Sequence, residues 1–423
     1  MTHQAETTSA PTWRAGAPTP REILLTNVHV VDVVTGSLRP GPVWIRDGII
    51  HAIGTEAEPA ATSGVAQQDM RGTYLMPGLF NMHTHFSLSL PGERGREMES
   101  LTPQGMALYM ADGARRTLQS GVTTVRCVAE ADHADFDLRR AIQRGLAVGP
   151  TIFSAGQGLV CTGGHGHGDG STLECDGADG FRKGVRTQIR AGADLIKVMI
   201  SGGIAGEHEA IRTRQLTSDE LRAVIETAHD WDRKVTAHAG PADVIEEAVR
   251  LGLDCVEHGY QLTPELCALM AERGTAYVPT LLVTRCGSFF DELGVPAWMQ
   301  ERSLSAGPRH VESYRAALDA GVTVMVGSDM PPFWSFEGTT AVVREIEYMV
   351  EFGLPEAEAL RAATMVPAAW LGIDDSVGRL EPGMQADAVA LDRSPLEEIS
   401  ALRSIHWVMK SGEVVRDDRG VTA

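Results

Sequence analysis

Between residues 77 and 375 the chain repeats one pattern, a short apolar run followed by a longer stretch of helical character. The apolar runs are LMPGLFNMHTH, VTTVRCV, TIFSAG, LIKVMI, KVTAHA, DCVEHG, AYVPT and VTVMVGSD. Between them lie segments such as LTPQGMALYMADGARRTLQS, LTSDELRAVIETAHDWD, PADVIEEAVRLG and TPELCALMAERG, and EAEALRAATMVPAAWLG follows the last run. LTSDE carries the Ser/Thr-x-x-Glu order of a helix start. Strands alternating with helices in this way predict an α/β fold, a parallel (β/α)8 TIM barrel. The competing doubly wound open sheet lacks a Gly-x-Gly-x-x-Gly after its first strand.

The flanks read differently. Residues 1–20 lack periodicity and are expected to form a flexible tail. Residues 21–76 and 376–423 consist of short β-rich runs broken by turn residues, and Asp47-Gly48 is a strong hairpin signal. The economical expectation is a small β-sandwich built from both chain termini outside a barrel over 77–375.

Composition narrows the function classes. A chain with 43% hydrophobic and 22% charged residues affords a sizeable core and is not disordered. A net charge of −19 repels nucleic acid and anionic membrane, so neither is an expected partner. The 6 cysteines are scattered without a CxxC pair, which argues against a disulfide framework. Neither a secretory h-region nor an apolar run of membrane-spanning length is visible, so a cytoplasmic location is expected.

The chemistry-bearing residues sit where barrel enzymes place theirs, at the ends of the candidate strands. His83-Thr84-His85 ends the first run, and strand residues two apart point the same way, so both imidazoles can share one metal. Lys197 lies inside LIKVMI, where a charge is costly to bury. Burial favours the neutral amine, which can add CO2 to give a carboxylate-like carbamate. His238 ends VTAHA, His258 ends CVEH and Asp329 ends VMVGSD. Singly, each has an ordinary explanation: a core histidine, a snorkelling lysine, a helix cap. Together they form a nitrogen and oxygen donor set without thiolate, suited to Zn2+, with Mn2+, Co2+ or Ni2+ as alternatives.

The order PGLFNMHTH, SGVTTVR, Lys197, His238, His258 and Gly327-Ser328-Asp329 resembles the amidohydrolase superfamily over nearly the whole chain, including GRLEPGMQADAVALD near the end. The resemblance implies two divalent metal ions. His83, His85 and Asp329 match the ligands of the more buried one, His238 and His258 those of the second, and Lys197 the carbamylated bridge of the binuclear branch. The imidazolonepropionase and cytosine deaminase branches lack that lysine. The Cys161-Thr162-Gly163-Gly164-His165-Gly166-His167-Gly168 loop is similar to the loop that meets a substrate carboxylate in the Xaa-Pro dipeptidase, N-acyl amino acid carboxypeptidase and ochratoxin-hydrolysing subgroup.

What this implies is a homo-oligomeric hydrolase cutting an amide bond in a small molecule through a hydroxide bridging its two metals. In that reading Asp329 transfers the proton, His165 binds the substrate carboxylate, and Tyr260 faces the pocket to steady the oxyanion. His167 is expected in the second shell or in solvent. Glu207, His208, Arg212 and Arg214 read as a mobile, solvated loop at the entrance, and Met330-Pro331-Pro332-Phe333-Trp334 as loop packing that can also wall the leaving group. Competing expectations are an arylurea or carbamate hydrolase, a mononuclear deaminase or cyclic amidase, and a silent binding protein.

Overall fold

The computed structural model describes residues 20–168 and 170–419. Of the expected tail only Pro20 is among them.

The N-terminal strands are β1 (Glu22–Asp32), β2 (Ser37–Pro40), β3 (Val43–Arg46), β4 (Ile49–Ile53) and β5 (Ala66–Pro77). β1 pairs antiparallel with β2 and β3 and parallel with β5. Asp47-Gly48 turns β3 into β4 as expected. Its φ angles of 50° and 79° are the left-handed backbone that a two-residue hairpin requires.

The central part contains β6 (Leu79–Thr84), β7 (Val122–Cys127) and β8 (Thr151–Ser154) in one parallel sheet. A second parallel sheet runs through β9 (Gly158–Val160), β10 (Thr172–Glu174), β11 (Ile196–Met199), β12 (Val235–Ala239), β13 (Cys255–His258) and β14 (Ala276–Val278). Parallel neighbours need long crossovers, and helices such as Pro103–Gln119, Ser218–His229, Ala242–Leu251 and Pro264–Arg273 supply them. Ser218–His229 opens with the expected capping box between Thr217 and Glu220, a device contributing about 1 kcal/mol. The expected last helical region is two helices, Glu356–Ala362 and Met365–Leu371. Pro367 has no N–H and its ring crowds the carbonyl four residues back, which breaks the helix there.

The run VTVMVGSD forms one bridge, Tyr277 to Val324, rather than a regular strand. It is nonetheless held on both sides. Met325 N donates to Tyr277 O at 2.9 Å, and Met82 N donates to Val326 O at 2.7 Å. At the opposite edge, the segment leading into β11 meets β8, with Asp194 N reaching Ser154 O at 2.8 Å. The fold is thus a mixed α/β architecture of parallel sheets whose edges are tied by backbone hydrogen bonds.

After a small hairpin of β15 (Ser335–Phe336) and β16 (Thr339–Thr340), the chain returns to its beginning. β17 (Ala388–Leu391) pairs antiparallel with β5, and β18 (Trp407–Lys410) and β19 (Glu413–Asp417) extend the same sheet. Both termini therefore share one eight-stranded sheet. Its β4 end is met by the segment that precedes β17, with Ile50 N on Met384 O and Ala386 N on Gly48 O, each at 2.8 Å. Apolar side chains from both termini, including Leu25, Val30, Ile45, Leu75, Ala390 and Trp407, form its core. Among the described residues no helix is long and apolar enough to cross a membrane.

Candidate metal centre

At the carboxyl ends of the parallel strands a cavity of about 130 Å3 is lined by His83, His85, Lys197, His238, His258 and Asp329. His83 and His85 leave β6 on one side, as the two-residue repeat of a strand requires. Their Nε2 atoms are 3.2 Å apart, and each lies 3.0 Å from Asp329 Oδ1. Donor atoms of His83, His258 and Asp329 fall within 4.8 Å of one another.

The outer hydrogen bonds fix which nitrogen of each ring faces inward. His83 Nδ1 donates to Glu257 Oε2 at 2.8 Å, and His85 Nδ1 donates to Ala129 O at 2.8 Å. Thr280 gives its hydroxyl proton to Pro279 O at 2.7 Å, so its oxygen accepts from His258 Nδ1, also at 2.7 Å. All three rings are left with a bare Nε2. His238 is reversed: its Nε2 donates to Gly202 O at 3.2 Å, leaving Nδ1. Lone pairs converging on a carboxylate repel unless a cation lies among them. Metal-binding histidines are oriented in this way by carboxylate and carbonyl partners, so the residues fit divalent metal.

The electrostatics of His238 and His258 agree, whereas at His85 burial lowers the ring and the Asp329 carboxylate outweighs it, holding that imidazole above the usual histidine range. Burial first, then neighbouring imidazoles and Lys197, hold His238 and His258 well below the usual histidine range, in the neutral form that ligates. Burial pushes Asp329 up, but the adjacent His83 and His85 outweigh it and keep it a carboxylate. Lys197 is 1% exposed, and burial pulls its amine down to about 8. Behind His83, burial also opposes the charge of Glu257. The Arg126 guanidinium and His83 overcome that and hold it far below its ordinary value. Arg126 bonds both Glu257 and the Met82 carbonyl, and Thr236 donates to the same carboxylate.

Two ligand candidates sit on strained backbone. His258 has φ 67° and Asp329 φ 57°, each costing about 1–3 kcal/mol. Tyr277 Oη and His310 Nε2 both donate to His258 O, at 2.7 and 2.9 Å, which holds that peptide in place. Asn81 staples the other pair: its Oδ1 accepts from His83 N at 3.1 Å and Ser328 N at 3.2 Å. Gly327 is needed beside it, because a Cβ there would lie 2.7 Å from His83 Cβ.

His165 and Tyr260 both line the cavity. The His165 ring stacks on His238 at 4.1 Å, and Tyr260 lies parallel to His258 at 5.3 Å and 4°. Burial holds the Tyr260 phenol well above its ordinary value, so it stays a proton donor. His167 turns to its own loop, bonding Gly164 O at 2.8 Å. Glu207, His208, Arg212 and Arg214 are exposed, as a solvated loop should be. The loop is nevertheless anchored: Arg214 pairs with Glu247 at 2.5 Å, and Arg302 donates to Gly203 O, Ile204 O and Gly206 O. Of Met330 to Trp334, Met330 reaches the cavity, while Phe333 packs beneath Arg116.

Asn81, Arg126, Glu257, Thr280, His310, Glu209 and Gln215 were not singled out by sequence. Arg126 in VTTVRCV and Glu257 in CVEH carry the signal that marked Lys197, a charge inside an apolar run. Asn81 sits two residues before His83, on the same strand face. The remaining positions have no local signature.

The amidohydrolase family profile matches residues 74–415. Ochratoxinase from Aspergillus niger is 31% identical over 411 residues, 90% of this chain and 83% of that protein. A prolidase structure in complex with N-methylphosphonate-L-proline aligns at TM-score 0.84 and 29% identity, covering 94% of this chain and all (100%) of that one. A Xaa-Pro dipeptidase with methionine bound in its active site aligns at TM-score 0.81 and 30% identity, over 93% and 100%. With the profile spanning most of the chain, and these relatives along nearly its full length, the protein belongs to the amidohydrolase family and is a hydrolase acting on carbon–nitrogen bonds.

Proposed function

We propose that the chain is a binuclear metal-dependent hydrolase that cleaves the amide bond of a small N-acyl amino acid or dipeptide-like molecule with a free carboxylate, ochratoxin-type amides included. The observation that carries this is the set of three imidazoles locked with Nε2 inward beside Asp329, with Lys197 on the same cavity. His83, His85 and Asp329 would hold one metal, and His238 and His258 the other. Lys197 would join them once its neutral amine nitrogen bonds the carbon of CO2 and releases a proton. The cyclic order of hydrogen bonds supports a closed (β/α)8 barrel over 77–375, and the joint terminal sheet supports a second domain from 21–76 and 376–423.

When bound, divalent metal polarises the scissile carbonyl and makes a water acidic enough to attack. The Asp329 carboxylate takes the proton of that water and passes it to the departing nitrogen. Tyr260, protonated at neutral pH, donates to the developing oxyanion. His165 receives the substrate carboxylate, and Leu88, Leu90, Val283, Phe290 and Met330 give the cavity an apolar wall for a hydrophobic side group. Acidic charge supports a small-molecule partner rather than nucleic acid or membrane. A cytoplasmic homo-oligomer completes the proposal.

Metal analysis of dialysed protein, combined with a panel of N-acyl amino acids, Xaa-Pro dipeptides, ochratoxin A and arylureas, tests it. Close to two metals per chain with turnover of a carboxylate-bearing amide is the expected result. One metal with deamination or ring opening sinks it.

A further inference from the structure

The His165 imidazole is boxed on several sides by residues that no part of the metal site requires. Its Nδ1 is bonded to Glu209. Its backbone N–H donates to Gln215 Oε1 at 3.0 Å, and Gln215 Nε2 donates to Glu209 Oε2 at 2.5 Å. These contacts close a ring from the His165 backbone through Gln215 and Glu209 to the His165 side chain. Gln215 is itself fixed to the end of the lysine strand, its N–H on Ile200 O at 3.1 Å. Gly203 packs flush against the ring, since a Cβ there would stand 2.3 Å from His165 Cε1 and 2.7 Å from His238 Cε1. Gly203 and Glu209 belong to the segment bridged at its base by Ser201 and Arg214 and held from the far side by Arg302.

We infer that Glu209, with Gln215, is a positioning residue that sets the orientation of His165 and thereby the preference for a substrate with a free carboxylate. With Nδ1–H committed to Glu209, the ring presents Nε2 to the cavity, and a flipped ring would bring carbon to Glu209 instead. The inference rests on the carboxylate-binding reading of His165. An imidazole already aimed by a part-buried clamp loses little side-chain entropy on binding an anion, so its contribution falls on substrate affinity rather than on the chemical step.

The test uses the metal-loaded enzyme, the best N-acyl amino acid of the panel and its carboxamide, with release of the acyl acid as readout. Glu209→Ala is expected to raise KM for the free acid about 10-fold or more, change kcat by less than about 3-fold, leave KM for the carboxamide unchanged and retain full metal content. His165→Ala should erase the same preference, and the double variant should add nothing to it, because the two act as one unit. Glu209→Gln, which keeps an acceptor for Nδ1–H, should restore most of the affinity. Additive losses, equal effects on acid and carboxamide, or loss of metal in Glu209→Ala would overturn the clamp alone. A His165→Ala variant that still prefers the free acid would overturn the carboxylate reading and the clamp with it.

Discussion

The terminal sheet and the strand ends of the central sheets both bury acids and bases, with opposite consequences. In the terminal sheet Asp387 is 4% exposed and saturated by its own surroundings: Lys410 Nζ at 2.5 Å and Ser411 N at 2.7 Å. Of its left-handed residues, Asp47 and Ser411 sit in hairpin turns, while Asn27 and Arg71 lie inside β1 and β5 where the register between those two strands shifts. At the central strand ends the left-handed residues include His258, Thr280 and Asp329, all against the cavity or supporting it, and the donor atoms point at one another. Saturated polar groups hold a fold together, whereas strained and mutually repelling ones need a ligand to justify them. The comparison locates chemistry in one region and assigns stability to the other.

The sharpest break between them is one substitution made twice. Asp329→Asn should lower kcat by about 10^2–10^4-fold while the far-ultraviolet spectrum stays native; Asp387→Asn should leave kcat alone and lower Tm. An active Asp329→Asn enzyme would remove the proton-transfer role. Lys197→Ala should lose metal and turnover together, and short carboxylic acids added to the assay should restore part of both. Full activity without such rescue excludes the bridge. Trp407→Ala empties the terminal core and should cost about 3–5 kcal/mol in urea titration with kcat and metal content unchanged. A large fall in kcat there would show that the two regions are coupled. Glu257→Gln removes the charge behind His83 and should weaken metal binding about 10–100-fold in a chelator competition.

The smallest effect concerns pH. Glu345 accepts from Leu281 N and Leu282 N, both at 2.8 Å, yet burial pushes its carboxyl up to about 8. Between its ordinary value near 4.5 and about 8 the folded chain keeps a proton that the unfolded chain releases. The native state is therefore penalised progressively as pH rises through that window, and not below it. Glu345→Gln should lose less stability than the parent between pH 5 and 8 in denaturant titrations; parallel pH curves would remove Glu345 as the cause.

Much of the site was legible because each ligand candidate lies in or ends an apolar run, and a polar group there needs a reason. Lys197 inside its run and His238, His258 and Asp329 at the ends of theirs each had an ordinary explanation singly, and only their joint pattern pointed to one site. Arg126 and Glu257 are equally polar groups in such runs, but their role behind His83 depends on a pairing across 131 positions. The eighth run illustrates the reverse: VTVMVGSD has strand composition, yet its backbone bonds are shared between β6 and β14 with a single regular bridge. The terminal sheet was legible as two β-rich flanks, whereas the pairing of β5 with β17 was not.

Local spacing by itself determined the alternation of strands and helices, the Asp47-Gly48 turn, the capping box at Thr217 and the shared face of His83 and His85, because each depends on neighbours a few bonds away. Tertiary structure alone decided which ring nitrogen each histidine presents, how Glu209 and Gln215 enclose His165, and why His258 and Asp329 tolerate a left-handed backbone. Those outcomes come from hydrogen bonds between groups distant in the chain, and such bonds leave no period or motif for a sequence to carry.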